Sequence, residues 1–222
     1  MVAAALPSPN FGPRREGARP SLIVLHYTAM ATCAEARARL CDPKAEVSAH
    51  YLICEGGQVE ALVDEAMRAW HAGAGAWGAI SDVNSHSIGI ELANSGDAPF
   101  PEPQMAALEA LLAGIMQRWA IGPAAVIAHS DMAPARKCDP GPRFDWRRLA
   151  LGGLAVWPEA AGDGTADFAA SARAIGYRAA APHAVRAAFR LRFRPWAEGP
   201  EDAVDRALAD DLARRLAGGA LA

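Results

Sequence analysis

Two apolar runs that each end in a histidine constrain this chain most. Ser21 to Ala29 reads SLIVLHYTA and closes on His26, and Ala124 to Ala128 leads directly into His129. Runs this short and continuously apolar fit strands buried inside a sheet, because a strand with one wet face alternates. A histidine at the end of such a strand stands where loops begin and where functional sites commonly lie. The second run opens onto VIAHSDMAPARKCDPGP (Val126 to Pro142), in which Pro134, Pro140 and Pro142 hold an irregular path that carries Lys137 and Asp139.

The same periodicity reading, carried along the chain, places strands at 21–26, 50–54, 58–63, 87–92 and 124–129, with helical segments between them. The expected fold class is α/β: a central mixed β-sheet flanked by helices, followed by a small three-helix C-terminal module. The clearest helix is 104–119, where Met105, Leu108, Leu111, Leu112, Ile115, Met116 and Trp119 recur at three and four and Pro101 and Pro103 stand just before. An earlier helix is expected over 31–40. After Trp146 come Gly152, Gly153, Pro158, Gly162 and Gly164, a linker signal, and then helical patterns at 168–175, 182–193 and 202–216. The expected organisation is an N-terminal extension (1–20), a catalytic domain (21–150), a linker (151–164) and a separable helical domain (165–222).

Charge and composition exclude several classes. The formal net charge is −3 and no basic tract is present, so nucleic acid is not an expected partner. No apolar run approaches the roughly 18 residues a membrane span needs, so no membrane insertion is expected. Cys33, Cys41, Cys54 and Cys138 show no CxxC spacing and read as scattered, mostly buried thiols of a reducing compartment. The N-terminal residues lack a charged n-region and an adequate apolar core. Together these point to the cytoplasm, with a periplasmic or envelope-associated location as the alternative.

The chemistry begins with His26, His129 and Asp139. Two imidazoles at strand ends and a carboxylate ten residues beyond the second are the ingredients of a catalytic zinc site with three protein ligands and one open position. Zinc lowers the pKa of bound water from about 15.7 to about 7, which suits amide hydrolysis at neutral pH. The Gly-rich stretch GAGAWGAISDVN (Gly73 to Asn84) lacks the ending and the setting of a phosphate cradle and reads as a mobile loop. Trp70 and Trp77 flank it, as sugar-stacking rim residues or as core.

Five ordered blocks, IVLHYTA (23–29), VSAHYLICEGG (47–57), AWHAG (69–73), NSHSIGIELAN (84–94) and HSDMAPARKCDPGPRFDW (129–146), resemble the zinc-dependent N-acetylmuramoyl-L-alanine amidases of the AmpD/AmiD type, relatives of the peptidoglycan recognition proteins. That resemblance implies one Zn2+ ion on His26, His129 and Asp139, Glu91 as catalytic carboxylate and Lys137 as the cation beside the site. It also implies peptidoglycan or muropeptide fragments as substrate, cut between N-acetylmuramic acid, or its anhydro form, and L-alanine, in wall turnover or recycling. A non-catalytic peptidoglycan-recognition module is the competing reading.

Glu91 interrupts the apolar run SIGIEL, a costly place for a carboxylate unless it is paired, protonated or used. Lys137 lies two residues before Asp139, so in an extended loop both point to one side and Cys138 points away as packing, with Arg136 solvated. His50 and His71 border the substrate groove in the resembling family, and substrate contact and a structural role stay open for each. Asn84 joins Trp70 and Trp77 among the expected substrate-binding residues, although its side chain equally suits bracing a turn. The tail, with IGY at 175–177 and AFRLRFRP at 188–195, is similar to a peptidoglycan-binding domain, and Arg190, Arg192 and Arg194 are candidates to meet acidic wall peptides; a helical cap over the catalytic domain is the alternative.

Overall fold

The computed structural model describes residues 7–159, 162–178 and 180–219. In chain order the strands are β1 (Phe11–Pro13), β2 (Leu22–Tyr27), β3 (Tyr51–Ile53), β4 (Val59–Ala61), β5 (Met67–Ala69), β6 (Ser87–Leu92) and β7 (Val126–Ala128). The helices are α1 (Cys33–Cys41), α2 (Val83–His86), α3 (Glu102–Trp119), α4 (His129–Met132), α5 (Trp146–Leu151), α6 (Phe168–Ile175), α7 (Pro182–Phe193) and α8 (Ala203–Ala217). Five strands form one mixed sheet in the order β4-β3-β6-β2-β7. The four strands β3, β6, β2 and β7 run parallel, and β4 is an antiparallel edge. β1 and β5 make a separate antiparallel ribbon that three-residue strands without alternation do not announce in the sequence.

The sheet is covered on both faces, which is why its central strands read as continuous apolar runs. Ile23, Leu25, Ile88, Ile90 and Leu92 point to one face and pack on Met105, Leu108, Leu112 and Ile115 of α3 and on Trp146 and Leu149 of α5. Helix α3 begins two residues before its expected start because Pro103 fits the first turn, where its missing N–H is no loss. The opposite face carries Leu22, Val24 and Ile127, and these pack on Phe168, Tyr177, Phe189, Phe193, Leu208 and Leu212 of the C-terminal segment. The three tail helices thus share one core with the sheet and do not form a detached unit. Ala155 and Val156, within the expected linker, are buried, and Trp157 touches both cores.

The tail arginines serve this packing. Arg190 pairs with buried Asp205 and bonds the carbonyls of Gly199 and Pro200, and Arg194 pairs with Asp202 and Asp205. Arg192 is 4% exposed and reaches into the sheet domain. The expectation that these three meet acidic wall peptides is therefore corrected: all three are engaged inside the protein.

Residues before the sheet are equally engaged. Asn10 donates to the carbonyls of Asp42 and Val47, and the Arg14 guanidinium donates to Glu65, Asn84, Ser85 and Ser87. No helix among the described residues is long and apolar enough to cross a membrane.

Cys33 and Cys54 form a disulfide, which overturns the reading of four free thiols. It joins the first turn of α1 to the residue after β3 over a sequence separation of 21. Closing a loop of that size stabilises a fold by about 3 kcal/mol in the chain-entropy picture. Reducing the protein is expected to lower its unfolding free energy by about that amount, read from urea midpoints with and without reductant. A Cys33→Ser, Cys54→Ser double variant should match the reduced wild type.

Candidate metal centre and its cleft

Parallel strands open their carboxyl ends to one edge, and sites in such sheets gather there. His26 is the next-to-last residue of β2, and its register partner on β6 is Glu91. Both belong to the face opposite α3. His129 is the first residue of α4, directly after β7. Asp139 arrives from the following loop, whose position is tied to the same helix by the Ser130 N–H donating to the Asp139 carbonyl at 3.0 Å.

These placements bring three donor atoms together. His26 Nδ1 and His129 Nδ1 stand 2.8 Å apart, and Asp139 Oδ2 lies 3.0 Å from the first and 2.9 Å from the second. All three residues are buried. Which ring nitrogens carry protons follows from their other partners. Ser87 Oγ donates to the Val83 carbonyl at 2.6 Å, so toward His71 Nε2, 3.2 Å away, it accepts. His71 is then protonated on Nε2 and accepts on Nδ1 from His26 Nε2–H at 3.0 Å. His129 Nε2–H donates to the Ala72 carbonyl at 2.9 Å. Both Nδ1 atoms therefore present lone pairs toward the carboxylate, and burial, reinforced by neighbouring His129, pushes His26 down to about 4, keeping it neutral. Three lone pairs facing one another with no proton between them fit a cation, and a two-imidazole, one-carboxylate set suits zinc.

The approach of His71 depends on Gly89. A Cβ there would lie 2.4 Å from His71 Cγ, so only glycine lets the ring sit against β6. The backbone of His71 and Ala72 is fixed in turn by Asn84, whose Oδ1 accepts both N–H groups at 3.1 and 2.9 Å.

His26, His129 and Asp139 line a cleft of about 440 Å³. Glu91, Lys137, His71 and Trp70 line it, as do Arg39 and Cys138. Glu91 Oε2 is buried without a hydrogen-bond partner. Burial, helped by the charge of Asp139 and opposed by Lys137, pushes the Glu91 carboxyl up to about 8. A carboxyl poised near neutrality can both take and return a proton.

Other expectations are corrected. His50 lies away from the cleft, fully buried, accepting on Nδ1 from the Gly89 N–H and donating its Nε2–H to the Met67 carbonyl at 3.1 Å. Asn84 is a brace and not a cleft residue. Trp77 packs edge-on against Tyr177, and its backbone bridges to Ile80 and Tyr177, so the Gly-rich stretch is pinned to the tail and to Met132 and is not a free loop. Cys138 does not turn away as packing: it is exposed and lines the cleft beside Lys137 and Asp139, 3.1 Å from the Tyr27 hydroxyl. Arg136 is no solvated bystander, because it donates to the carbonyls of Ala72 and Ala74. Ser87, Gly89 and Arg39 escaped sequence reasoning; only the close spacing of Ser87, Gly89 and Glu91 on one strand face hinted at the first two.

His50 carries a pH signature. Burial lowers its pKa from 6.5 to about 4 in the folded chain, so between those values the unfolded chain binds a proton that the folded one refuses. Its contribution to stability is complete above pH 6.5 and declines as pH falls toward 4. In His50→Asn, which keeps an acceptor for Gly89, the slope of unfolding free energy over that window should be shallower by about one proton, about 1.4 kcal/mol per pH unit. Urea melts across the window measure it.

With the geometry in place, comparison with known proteins is informative. Residues 16–142 match the family described as N-acetylmuramoyl-L-alanine amidase. The chain is 40% identical over 158 residues to the N-acetylmuramoyl-L-alanine amidase AmiD of Escherichia coli, an alignment covering 64% of this chain and 56% of that protein. It is 32% identical to the 1,6-anhydro-N-acetylmuramyl-L-alanine amidase AmpD of Enterobacter cloacae, covering 66% of this chain and 88% of AmpD. Among solved structures, E. coli AmiD in complex with the substrate anhydro-N-acetylmuramic acid-L-Ala-D-gamma-Glu-L-Lys superposes with a TM-score of 0.80 at 34% identity, covering 90% of this chain and 91% of that one. AmpDh3 of Pseudomonas aeruginosa in complex with an anhydromuramic pentapeptide gives 0.81 at 30% identity, covering 91% and 94%.

Proposed function

The chain belongs to the N-acetylmuramoyl-L-alanine amidase family, and from that premise we propose that it hydrolyses, with one zinc ion, the amide joining N-acetylmuramic acid or its anhydro form to L-alanine of the peptidoglycan stem peptide. The observation that carries this reading is the meeting of three buried lone pairs, from His26, His129 and Asp139, in a cleft that Glu91 and Lys137 also line.

When bound, zinc supplies Lewis acidity toward the carbonyl and acidifies water. His26, His129 and Asp139 would hold it, with His71 and the Ala72 carbonyl fixing the two ring orientations. Glu91 takes the proton of the attacking water and passes it to the amine that leaves as the amide breaks. The Lys137 ammonium faces the oxygen that gains charge as the carbonyl is attacked. Trp70 and His71 form part of the wall along which the substrate lies. Solved relatives that hold anhydro-muramyl peptides support a muropeptide substrate. The Cys33–Cys54 disulfide favours an oxidising compartment over the cytoplasm, and so work in the cell envelope.

The test is direct. Purified protein, its zinc content measured, is incubated with an anhydro-muramyl tripeptide and with intact peptidoglycan, and mass spectrometry follows appearance of free L-alanine-terminated peptide. Activity should vanish on chelation and return with zinc. A zinc-replete protein that binds muropeptide and cleaves neither substrate would instead be a recognition module.

A further inference from the structure

Asp131 is fully buried two residues after His129, and its carboxylate has three partners. Oδ2 accepts the N–H of Ala128, the last residue of β7, at 2.9 Å. Oδ2 also accepts from Arg192 at 2.6 Å, and Oδ1 accepts the Tyr177 hydroxyl at 2.6 Å. The first bond closes the turn between β7 and α4 on which His129 stands. The other two come from the C-terminal segment, and Arg192 is the one cation paired with Asp131 among the described residues.

Arg192 is held for this task. Its second terminal nitrogen donates to the Val126 carbonyl at 3.0 Å, and its guanidinium lies over the Trp146 ring, 4.1 Å from the centroid. Tyr177 is wedged between Trp77 and Phe189 beside Gly176, where a Cβ would strike Trp77 at 2.6 Å. Without the arginine, a carboxylate would be left buried beside the metal-bearing turn with its charge uncompensated, which structures avoid by rearranging. The first turn of α4 fixes His129 directly, and through the Ser130 N–H it fixes the backbone of Asp139.

We infer that Arg192 and Tyr177 are positioning residues for the metal centre, acting through Asp131 on His129, so that the helical tail completes the site. The inference rests on the zinc reading above. Residues that hold a metal ligand in place alter metal affinity by about 10–100-fold when replaced.

The experiment compares Arg192→Met, Tyr177→Phe and Arg190→Met in the full chain. Arg190 pairs with Asp205 inside the tail, so its loss loosens the same helices without touching Asp131. Zinc affinity is read by competition with a chromogenic chelator, and site geometry by the visible spectrum of the cobalt-substituted protein. Arg192→Met should bind zinc about 10–100-fold more weakly with a changed cobalt spectrum. Tyr177→Phe should shift both in the same direction by a smaller factor, and Arg190→Met should shift neither. A folded Arg192→Met protein with wild-type affinity and spectrum overturns the inference, as does equal weakening in Arg190→Met. If Arg192→Met does not fold, Tyr177→Phe decides, and unchanged values there overturn it. Wild-type protein that binds no zinc would defeat the zinc reading itself, a separate result.

Discussion

Glu91→Gln is expected to keep its zinc and lose about 10²–10⁴-fold in kcat, the range spanned by positioned acid–base groups. The side chain enters the cleft from β6, and its partner across the ladder is the proposed ligand His26, so both are aimed by the same pair of hydrogen-bonded strands. Glutamine matches glutamate in shape, and Oε2 has no hydrogen-bond partner to lose. The substitution therefore removes the exchangeable proton and little else. Glu91 is not among the three atoms that meet at the metal centre, so metal content should not follow activity down. Turnover of anhydro-muramyl peptide beside zinc analysis of the same sample gives the answer; a variant as fast as wild type would remove Glu91 from the chemistry.

Asp139→Ala should produce the opposite pairing of results: loss of metal first, and loss of activity because of it. The carboxylate is the one anionic member of the set, lying within 3.0 Å of both imidazole nitrogens. Removing it leaves two neutral ligands, fewer than the three or four by which proteins retain zinc, so occupancy should fall from about one ion per chain toward none after dialysis. The loop should not collapse with it, because its tie to α4 runs through the Asp139 backbone carbonyl, which alanine retains. A variant that kept stoichiometric zinc would mean that another residue completes the set.

Much of this arrangement is legible in the sequence, for a local reason. His26 and His129 end apolar runs whose strand character is set by neighbours in the chain, and α3 displays its apolar stripe within a few turns. What escapes are features made by distant partners. Arg192 reads, with Arg190 and Arg194, as a candidate to meet acidic wall peptides, yet it points away from Arg190 by the helical period and finds Asp131 across 61 residues. The Cys33–Cys54 bond has no spacing signature, since the sheet and α1 alone bring the two sulfurs together. Asn84 and His50 are polar residues inside recognised blocks, which suggests substrate contact, and only the folded backbone shows that their partners are the N–H groups of Ala72 and Gly89. Trp77 suits rim and core equally well by sequence, and its contact with Tyr177 makes it core.

The alternation along β2 has a last consequence. Leu22 and Val24 insert among the tail helices, while His26, two residues on, reaches the proposed metal centre from the same face, with Ile23 and Leu25 committed to α3. A slip by a single residue would turn the imidazole into the apolar interior and put Leu25 or Tyr27 in its place. The proposed metal centre and the hydrophobic interior thus each demand the same alignment of one six-residue segment, so metal loading would report on how the sheet was assembled.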